Sequence, residues 1–332
     1  MNHSFDALVV NKQDEQFSVN VQKLTVADLP EGEVLIRVHY SGVNYKDSLA
    51  GIPNGNIVHT YPFVPGIDLA GVVVSSEDPR FQEGDEVIAT SYEIGVSHFG
   101  GYSEYARIPA KWIVPLPKGL TLKEAMIIGT AGLTAALSVQ RLEENGMTPE
   151  SGKVLVTGAT GGVGSFAVSI LASLGFEVEA STGKESEEAY LREIGATTVV
   201  PRTEVFDGKI RALGKQKWAA AVDPVGGEPL ASLLSQIQYG GAVAASGLTA
   251  GTKLPTSVFP FILRGVDLLG IDSVYCPMEK RLAVWQRLAT DFKPANFDLF
   301  VQEEVSLAQL PDVLPLLLKG QARGRILVKC SQ

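Results

Sequence analysis

Residues Lys153 to Gly175, KVLVTGATGGVGSFAVSILASLG, constrain this chain more than any other stretch. Val154-Leu155-Val156 is a short apolar run of the kind that forms a strand buried on both faces of a parallel sheet. Gly158, Gly161, Gly162 and Gly164 then turn the chain, and from Ser165 the apolar residues Phe166, Ile170 and Leu174 recur at helical spacing. A strand, a glycine-rich turn and a helix in that order build an anion site. The helix N-terminus presents unpaired N–H groups and the positive end of its dipole. Glycines let a pyrophosphate approach the backbone without a Cβ in the way. An ordinary tight βα turn could carry the same glycines, but the flanking strand and helix select a dinucleotide site. No lysine follows Gly164, which excludes a P-loop.

The coenzyme's ribose is read about 20 residues further on, at the end of the next strand. Here Phe176 to Ala180 reads as that strand, and Ser181-Thr182-Gly183-Lys184 follows. Enzymes that prefer NAD place an acid at this point; this chain offers hydroxyls, a glycine and a lysine. A carboxylate would repel a 2′-phosphate, whereas Lys184 and the Ser181 or Thr182 hydroxyls would bind it, so the loop predicts NADPH. The alternative makes Lys184 a solvated residue opening the helix that carries Glu185, Glu187 and Glu188.

The bulk numbers set bounds. A length of 332 residues allows two ordinary domains, and 45% hydrophobic with 20% charged residues describes a chain with sizeable cores. A net charge of −9 argues against nucleic acid or an anionic membrane surface as partner. Cys276 and Cys330 are far apart, and His3, His39, His59 and His98 show no ligand spacing, so no metal site is expected and the histidines read as structural. Asp6, Lys12, Asp14 and Glu15 interrupt any early apolar run, and no uncharged apolar run of about 18 residues occurs, so neither a signal peptide nor a membrane span is expected. A cytoplasmic location follows as the expectation.

Residues 1–124 have β character, with short alternating runs such as Val34 to Tyr40 separated by Gly and Pro turns. Gly71 inside a strand pattern suggests close backbone approach or a bulge. From residue 125 to 294 strands and helices alternate, after a helical run from Leu122 to Glu144 broken by Gly129 and Gly132. That alternation predicts a doubly wound parallel sheet. The tail, 295–332, holds a strand, a helix and a strand that are expected to return to the first domain.

Several segments together carry a resemblance: Ser41 to Asp47 (SGVNYKD), Pro65 to Val72 (PGIDLAGV), Gly84 to Ala89 (GDEVIA), Gly100 to Ala106 (GGYSEYA), Gly129 to Ala135 (GTAGLTA), Val154 to Ser165 and Gly324 to Val328 (GRILV). In this order they resemble the medium-chain dehydrogenase/reductase superfamily, and within it the zinc-independent quinone oxidoreductases of the YhdH/YhfP type, a branch that includes acryloyl-coenzyme A reductases. Ala159 stands where the first fingerprint glycine is expected. The resemblance implies an α/β protein with a Rossmann cofactor domain and a GroES-like barrel. Zinc-dependent relatives carry a cysteine, a G-H-E and a four-cysteine cluster; the corresponding stretches here hold Asn44-Tyr45-Lys46-Asp47 and Gly66-Ile67-Asp68, with no cysteine in 90–105.

Without a Lewis acid the substrate must already be electrophilic, as quinones and enones conjugated to a carbonyl or thioester are. The resemblance places Tyr45 beside the nicotinamide with Asn44 and Asp47 close by; Asp47 could instead hold the loop. It places Thr130 toward the nicotinamide, Thr160, Gly161, Gly162 and Val163 around the pyrophosphate, Thr182, Gly183 and Lys184 at the adenosine phosphate, and Arg202 on the adenine side. Leu248, Ile262 and Ser273 match positions lining the nicotinamide and its ribose, although Leu248 and Ile262 could be plain core residues. The expected activity is NADPH-dependent reduction of a quinone or activated alkene. The alternatives are a 2-enoyl or acryloyl thioester reductase, and a non-catalytic NADPH-binding or RNA-binding protein of the lens-crystallin kind. The loops 44–62 and 90–100 show no diagnostic charge that would name the substrate. Gly265 to Tyr275, an apolar edge segment, predicts a symmetric homodimer.

Overall fold

The computed structural model describes residues 4–14 and 16–331; His3 and Glu15 lie outside them. The chain divides into two compact units. The first holds the chain up to Thr130, Val274–Ala289 and the chain from Phe300 onward; the second holds Ala131–Ser273 and Thr290–Leu299.

In the first unit, β1 (Ser4–Gln13) and β2 (Gln16–Thr25) form an antiparallel hairpin. Then come β3 (Val34–Gly42), the short helix α1 (Tyr45–Ala50), β4 (Asp68–Ser76), β5 (Glu86–Thr90), β6 (Tyr105–Ile108) and β7 (Ile113–Pro115). In β3, Val34, Ile36 and Val38 are buried on one face, while on the other Leu35 is buried and Arg37 exposed, so the sequence's alternation holds in part. The all-β reading of this stretch missed α1. Gly71 behaves as expected: a Cβ there would overlap the Arg37 carbonyl, and the β3–β4 register shifts between Val38 and Tyr40.

The division between units falls within α2 (Leu122–Glu144). Thr121 and Glu124 cap its start reciprocally, at 2.7 Å for Thr121 N–H to the carboxylate and 3.2 Å for Glu124 N–H to the hydroxyl. Only Gly129 leaves helical geometry, at φ 51° and ψ −159°; Gly132, expected to break the run as well, does not. By length and composition α2 could cross a membrane, but most of it is buried inside the protein.

The second unit carries β8 (Val154–Val156), α3 (Gly162–Ser173), β9 (Val178–Thr182), α4 (Glu188–Glu193), β10 (Thr198–Pro201), β11 (Trp218–Asp223), α5 (Gly227–Leu234), β12 (Ile237–Ala245), α6 (Phe259–Arg264) and β13 (Asp267–Gly270). Its six strands are parallel, in the order β10-β9-β8-β11-β12-β13. Counted from β8 this is 3-2-1-4-5-6, the doubly wound dinucleotide-binding order, whose crevice opens where the order reverses, between β8 and β11. The core of this unit includes Leu155, Trp218, Ala221, Leu233 and Val243.

Helix α7 (Met278–Leu288) belongs to the first unit. Buried Arg281 anchors it: Nη1 donates to the Thr90 carbonyl (3.2 Å) and hydroxyl (2.9 Å), Nη2 to the Val274 carbonyl (3.2 Å), and the guanidinium lies 4.4 Å over the Tyr92 ring. The tail adds β14 (Val301–Ser306), α8 (Leu310–Leu318) and β15 (Arg325–Lys329). Strands β14 and β15 join the first unit's seven-stranded sheet, ordered β14-β15-β3-β4-β5-β7 with β6 on β3.

Candidate functional site

Within the first unit the N-Y-K-D turn is built around buried carboxylates. Asn44 opens α1 in extended geometry, and its N–H donates to Asp47 Oδ2 at 2.9 Å, three residues on. The other Asp47 oxygen accepts the Ile67 N–H at 2.9 Å, so one side chain fastens α1 to the P-G-I-D segment. Asp47 is fully buried, and burial together with the charge of Asp68 pushes its pKa up to about 7 despite three hydrogen bonds that favour the anion.

Asp68 is also fully buried and is saturated with donors. It accepts Asn44 Nδ2 at 2.8 Å, Thr130 N–H at 3.0 Å and Thr130 Oγ1 at 2.5 Å. The guanidinium of buried Arg325 stands 3.5 Å from it. Arg325 donates further to the carbonyls of Ile127 and Val43 and to Asn44 Oδ1, each at 3.0 Å. Asn44 therefore bridges all three charged groups through its two amide ends. Two glycines clear the space: a Cβ on Gly42 would overlap the guanidinium, and one on Gly129 would lie 2.5 Å from Asp68 Oδ2 and 2.6 Å from Arg325 Nη2. The positive φ of Gly129 adds a second reason for glycine there. Tyr102, buried, donates to the Gly42 carbonyl at 3.3 Å; burial and the Asp47 carboxyl push its phenol far above the usual range.

Asn44, Asp47 and Thr130 thus converge, with Ser91 Oγ 3.0 Å from the Thr130 hydroxyl. Tyr45 turns outward and is 40% exposed. Next to it in the chain, Lys46 lines a pocket together with Glu93, so the two loops that show no diagnostic charge each bring one charged residue to the same space. His98 is structural, both ring nitrogens lying 3.0 Å from backbone carbonyls.

Within the second unit the glycine turn follows β8. Thr160 is buried, Gly161 caps α3, and Gly162 and Val163 begin it, leaving their N–H groups at the helix start. A Cβ on Gly164 would overlap the Gly158 carbonyl and come within 2.7 Å of Ala159 Cα, so α3 approaches the turn as closely as a pyrophosphate cradle requires. Ala159, in place of a fingerprint glycine, is buried and its N–H donates to Ser181 at 3.1 Å, tying the turn to β9. Across the crevice, buried Asp223 accepts Thr157 Oγ1 at 2.5 Å and Gly226 N–H at 2.7 Å, pinning the ends of β8 and β11 together. Burial raises its pKa.

At the end of β9, Thr182 is buried and its hydroxyl accepts the Lys184 N–H at 3.0 Å. Gly183 lies against Arg202, where a Cβ would stand 3.2 to 3.5 Å from the Arg202 Cδ, Nε and Cζ. Partial burial lowers the Lys184 ammonium below its ordinary value. The structure therefore brings Thr182, Gly183, Lys184 and Arg202 to one corner. Ser273 accepts the Thr134 hydroxyl at 2.8 Å. Leu248 and Ile262 are 57% and 68% exposed, so neither is a core residue. These residues fit a dinucleotide: α3 starts in the glycine turn, Gly164 lets it pack closely on that turn, and the corner after β9 gathers Lys184 and Arg202, with Glu187 close enough to act on the Lys184 charge.

Reading the sequence for sites passed over Asp68, Arg325 and Asp223. An acid or arginine placed at the end of an otherwise apolar strand was the available signal in each: Asp68 opens β4, Arg325 opens β15, Asp223 ends β11.

Comparison with known proteins bears on the same elements. The family model described as "Alcohol dehydrogenase GroES-like domain" matches residues 30–118, and "Zinc-binding dehydrogenase" matches 162–290. The chain is 59% identical to the putative quinone oxidoreductase YhfP of Bacillus subtilis, over 99% of this chain and 100% of that one. The YhfP structure with NAD bound superposes with a TM-score of 0.96, covering 98% of this chain and 99% of the other. The acrylyl-CoA reductase AcuI of Ruegeria pomeroyi is 49% identical over 98% of each chain. The YhdH oxidoreductase of Salmonella enterica, solved with NADP, is 46% identical with a TM-score of 0.95, covering 98% of this chain and 100% of that one.

Two outcomes follow from the buried charges. Removing the cation in Arg325→Met leaves Asp68 uncompensated and should cost about 3–5 kcal/mol of stability, measured by urea unfolding. Asp47, with its folded pKa raised to about 7, contributes stability that is present below the unfolded-chain value of about 4 and is lost as pH rises through 7. Unfolding free energies from pH 5 to 8 should therefore fall by up to about 1.4 kcal/mol per pH unit more steeply in the unmodified protein than in Asp47→Asn. Parallel profiles would contradict the assignment.

Proposed function

As this chain belongs to the medium-chain dehydrogenase/reductase superfamily, alongside YhfP and AcuI, we propose that it is an NADPH-dependent reductase delivering hydride to a quinone or to a double bond conjugated with a carbonyl or thioester. The observation that carries this reading is the glycine cradle at the reversal point of the 3-2-1-4-5-6 sheet. Bound NADPH supplies the hydride equivalent. Thr160 to Val163 hold its pyrophosphate, the corner of Thr182, Gly183, Lys184 and Arg202 its adenosine phosphate, and Leu248, Ile262 and Ser273 its nicotinamide end.

The catalytic unit works without zinc. Asn44 and Ile67 stand where zinc-dependent relatives carry soft ligands, and the cation beside Asp68 is already the Arg325 guanidinium. Among the described residues no three His, Cys, Asp or Glu side chains gather as a metal site would need. With no Lewis acid, the acceptor must delocalise the incoming charge onto its own oxygen. Of Asn44, Tyr45 and Asp47 only Tyr45 is exposed enough to touch a substrate, so Asn44 and Asp47 are positioning residues that fix the Tyr45 turn, and Thr130 is fixed by Asp68. Two buried free cysteines agree with a cytoplasmic location.

Steady-state kinetics with NADPH against quinones, enones and acyl-coenzyme A esters test the function. Turnover of any acceptor class supports it, and the thioesters decide between quinone and acryloyl-thioester reduction, the reading that AcuI's name favours. NADPH binding with no turnover of any class would leave a non-catalytic binding protein.

The coenzyme choice has its own test. A charge-assisted contact from Lys184 to the 2′-phosphate should contribute about 1.5–3 kcal/mol, or roughly 10- to 150-fold. Lys184→Ala should lose most of the preference of kcat/KM for NADPH over NADH, mainly through KM. Equal use of both coenzymes by the unmodified protein would refute this reading of the corner.

We also propose a homodimer. Strand β13 is the edge of the second unit's sheet, and Leu268 on it is exposed. Light scattering at micromolar concentration should give twice the chain mass, and a monomer would reject the pairing.

A further inference from the structure

The pocket beside Tyr45 has a chemistry that the reduction itself does not require. It is half-open, about 330 Å³ in volume, and lies wholly within the first unit. Its two walls differ. Helix α1 and the following loop contribute Lys46, Asn56, His59 and Thr60, a cation with further side chains able to donate; a second loop contributes Glu93 and Ser97. Ile57, Phe63 and Val96 supply an apolar lining that would exclude water from a bound group.

Glu93 is already engaged. It accepts the hydroxyls of Ser97 and, at 2.7 Å, Tyr275. The Lys46 charge helps hold its carboxyl below the usual range, but among the described residues no carboxylate stands within 4.0 Å of the Lys46 ammonium. A half-buried lysine has three donors and no acceptor of its own. Here it faces a concave space with Asn56, His59 and Thr60 on its own side and without an ion-pair partner. The complement of such a wall is an oxygen that carries negative charge.

We infer that this pocket holds an anionic group of the substrate, a carboxylate or phosphate distinct from the reacting double bond, with Lys46 as its principal contact. Lys46 is thereby a specificity residue that selects charged acceptors over neutral ones. The inference rests on the proposal that the chain is a reductase of activated alkenes. It adds that the natural acceptor is an anion, which disfavours a simple quinone.

Two matched pairs of acceptors test it under saturating NADPH. Acryloyl-coenzyme A and the acryloyl thioester of N-acetylcysteamine differ by phosphates on the carrier; monomethyl and dimethyl fumarate differ by a carboxylate near the alkene. In each pair the quantity read is the ratio of kcat/KM for the charged member to the neutral one. Lys46→Met should lower that ratio roughly 10- to 100-fold in one pair, through KM, as expected for loss of a charge-assisted contact. The pair affected identifies the anion, and Lys46→Arg should retain most of the ratio. Unchanged ratios in both pairs overturn the inference, as does an equal loss on charged and neutral members. Calorimetric binding of coenzyme A and of monomethyl fumarate to the unmodified and Lys46→Met proteins separates this failure from that of the parent reading. If no acceptor is turned over, the reductase reading fails, yet weakened anion binding in Lys46→Met still upholds the pocket, and undiminished or absent binding of both probes overturns it.

Discussion

A guanidinium buried against a carboxylate organises the first unit. Arg325 and Asp68 are both withdrawn from water, at a desolvation cost that their attraction offsets only when the remaining donors and acceptors are met. Groups from distant parts of the chain meet most of them: the carbonyls of Val43 and Ile127, both ends of the Asn44 amide, and the N–H and hydroxyl of Thr130, while Arg325 Nη2 makes no hydrogen bond and faces Asp68 at 3.5 Å. The result joins β3, α1, β4, the break in α2 and β15 at one point. Asp47 lies beside this pair, and its complete burial, with the charge of Asp68 adding to it, raises its pKa to about 7.

The second unit achieves a related effect with a neutral partner. Asp223 receives the Thr157 hydroxyl and the Gly226 N–H, and so locks the two strand ends between which the sheet order reverses. The turn that would carry the pyrophosphate thereby rests on a fixed frame, with Gly164 allowing α3 to close on it. In both units a buried acid at a strand end positions the neighbouring backbone, Asp68 in one and Asp223 in the other.

Much of this was legible in the chain itself. The period of apolar residues around Lys153–Gly175 announced strand, turn and helix because burial on a parallel sheet and on one helix face demands those spacings. The N-Y-K-D turn stood out through the family resemblance, and the loop after β9 because it carries hydroxyls and a lysine where an acid is usual. Asp68 and Arg325 were not readable as partners, since a pairing across more than 250 positions leaves no local pattern. The short helix α1 escaped for a different reason: its six residues show too little periodicity to stand out from the surrounding strands. Lys46 and Glu93 stand 47 positions apart, and only the fold brings them to one pocket.

The central claim is that the fixed cation Arg325, and no metal, completes the catalytic unit. The most direct measurement is a single turnover followed at the NADPH absorbance, with an acceptor the protein reduces, after exhaustive chelation and with metal content determined on the same sample. The account predicts full amplitude and an unchanged rate constant in protein holding far less than one metal per chain. Loss of the transient on chelation, with recovery on adding back zinc, would contradict it.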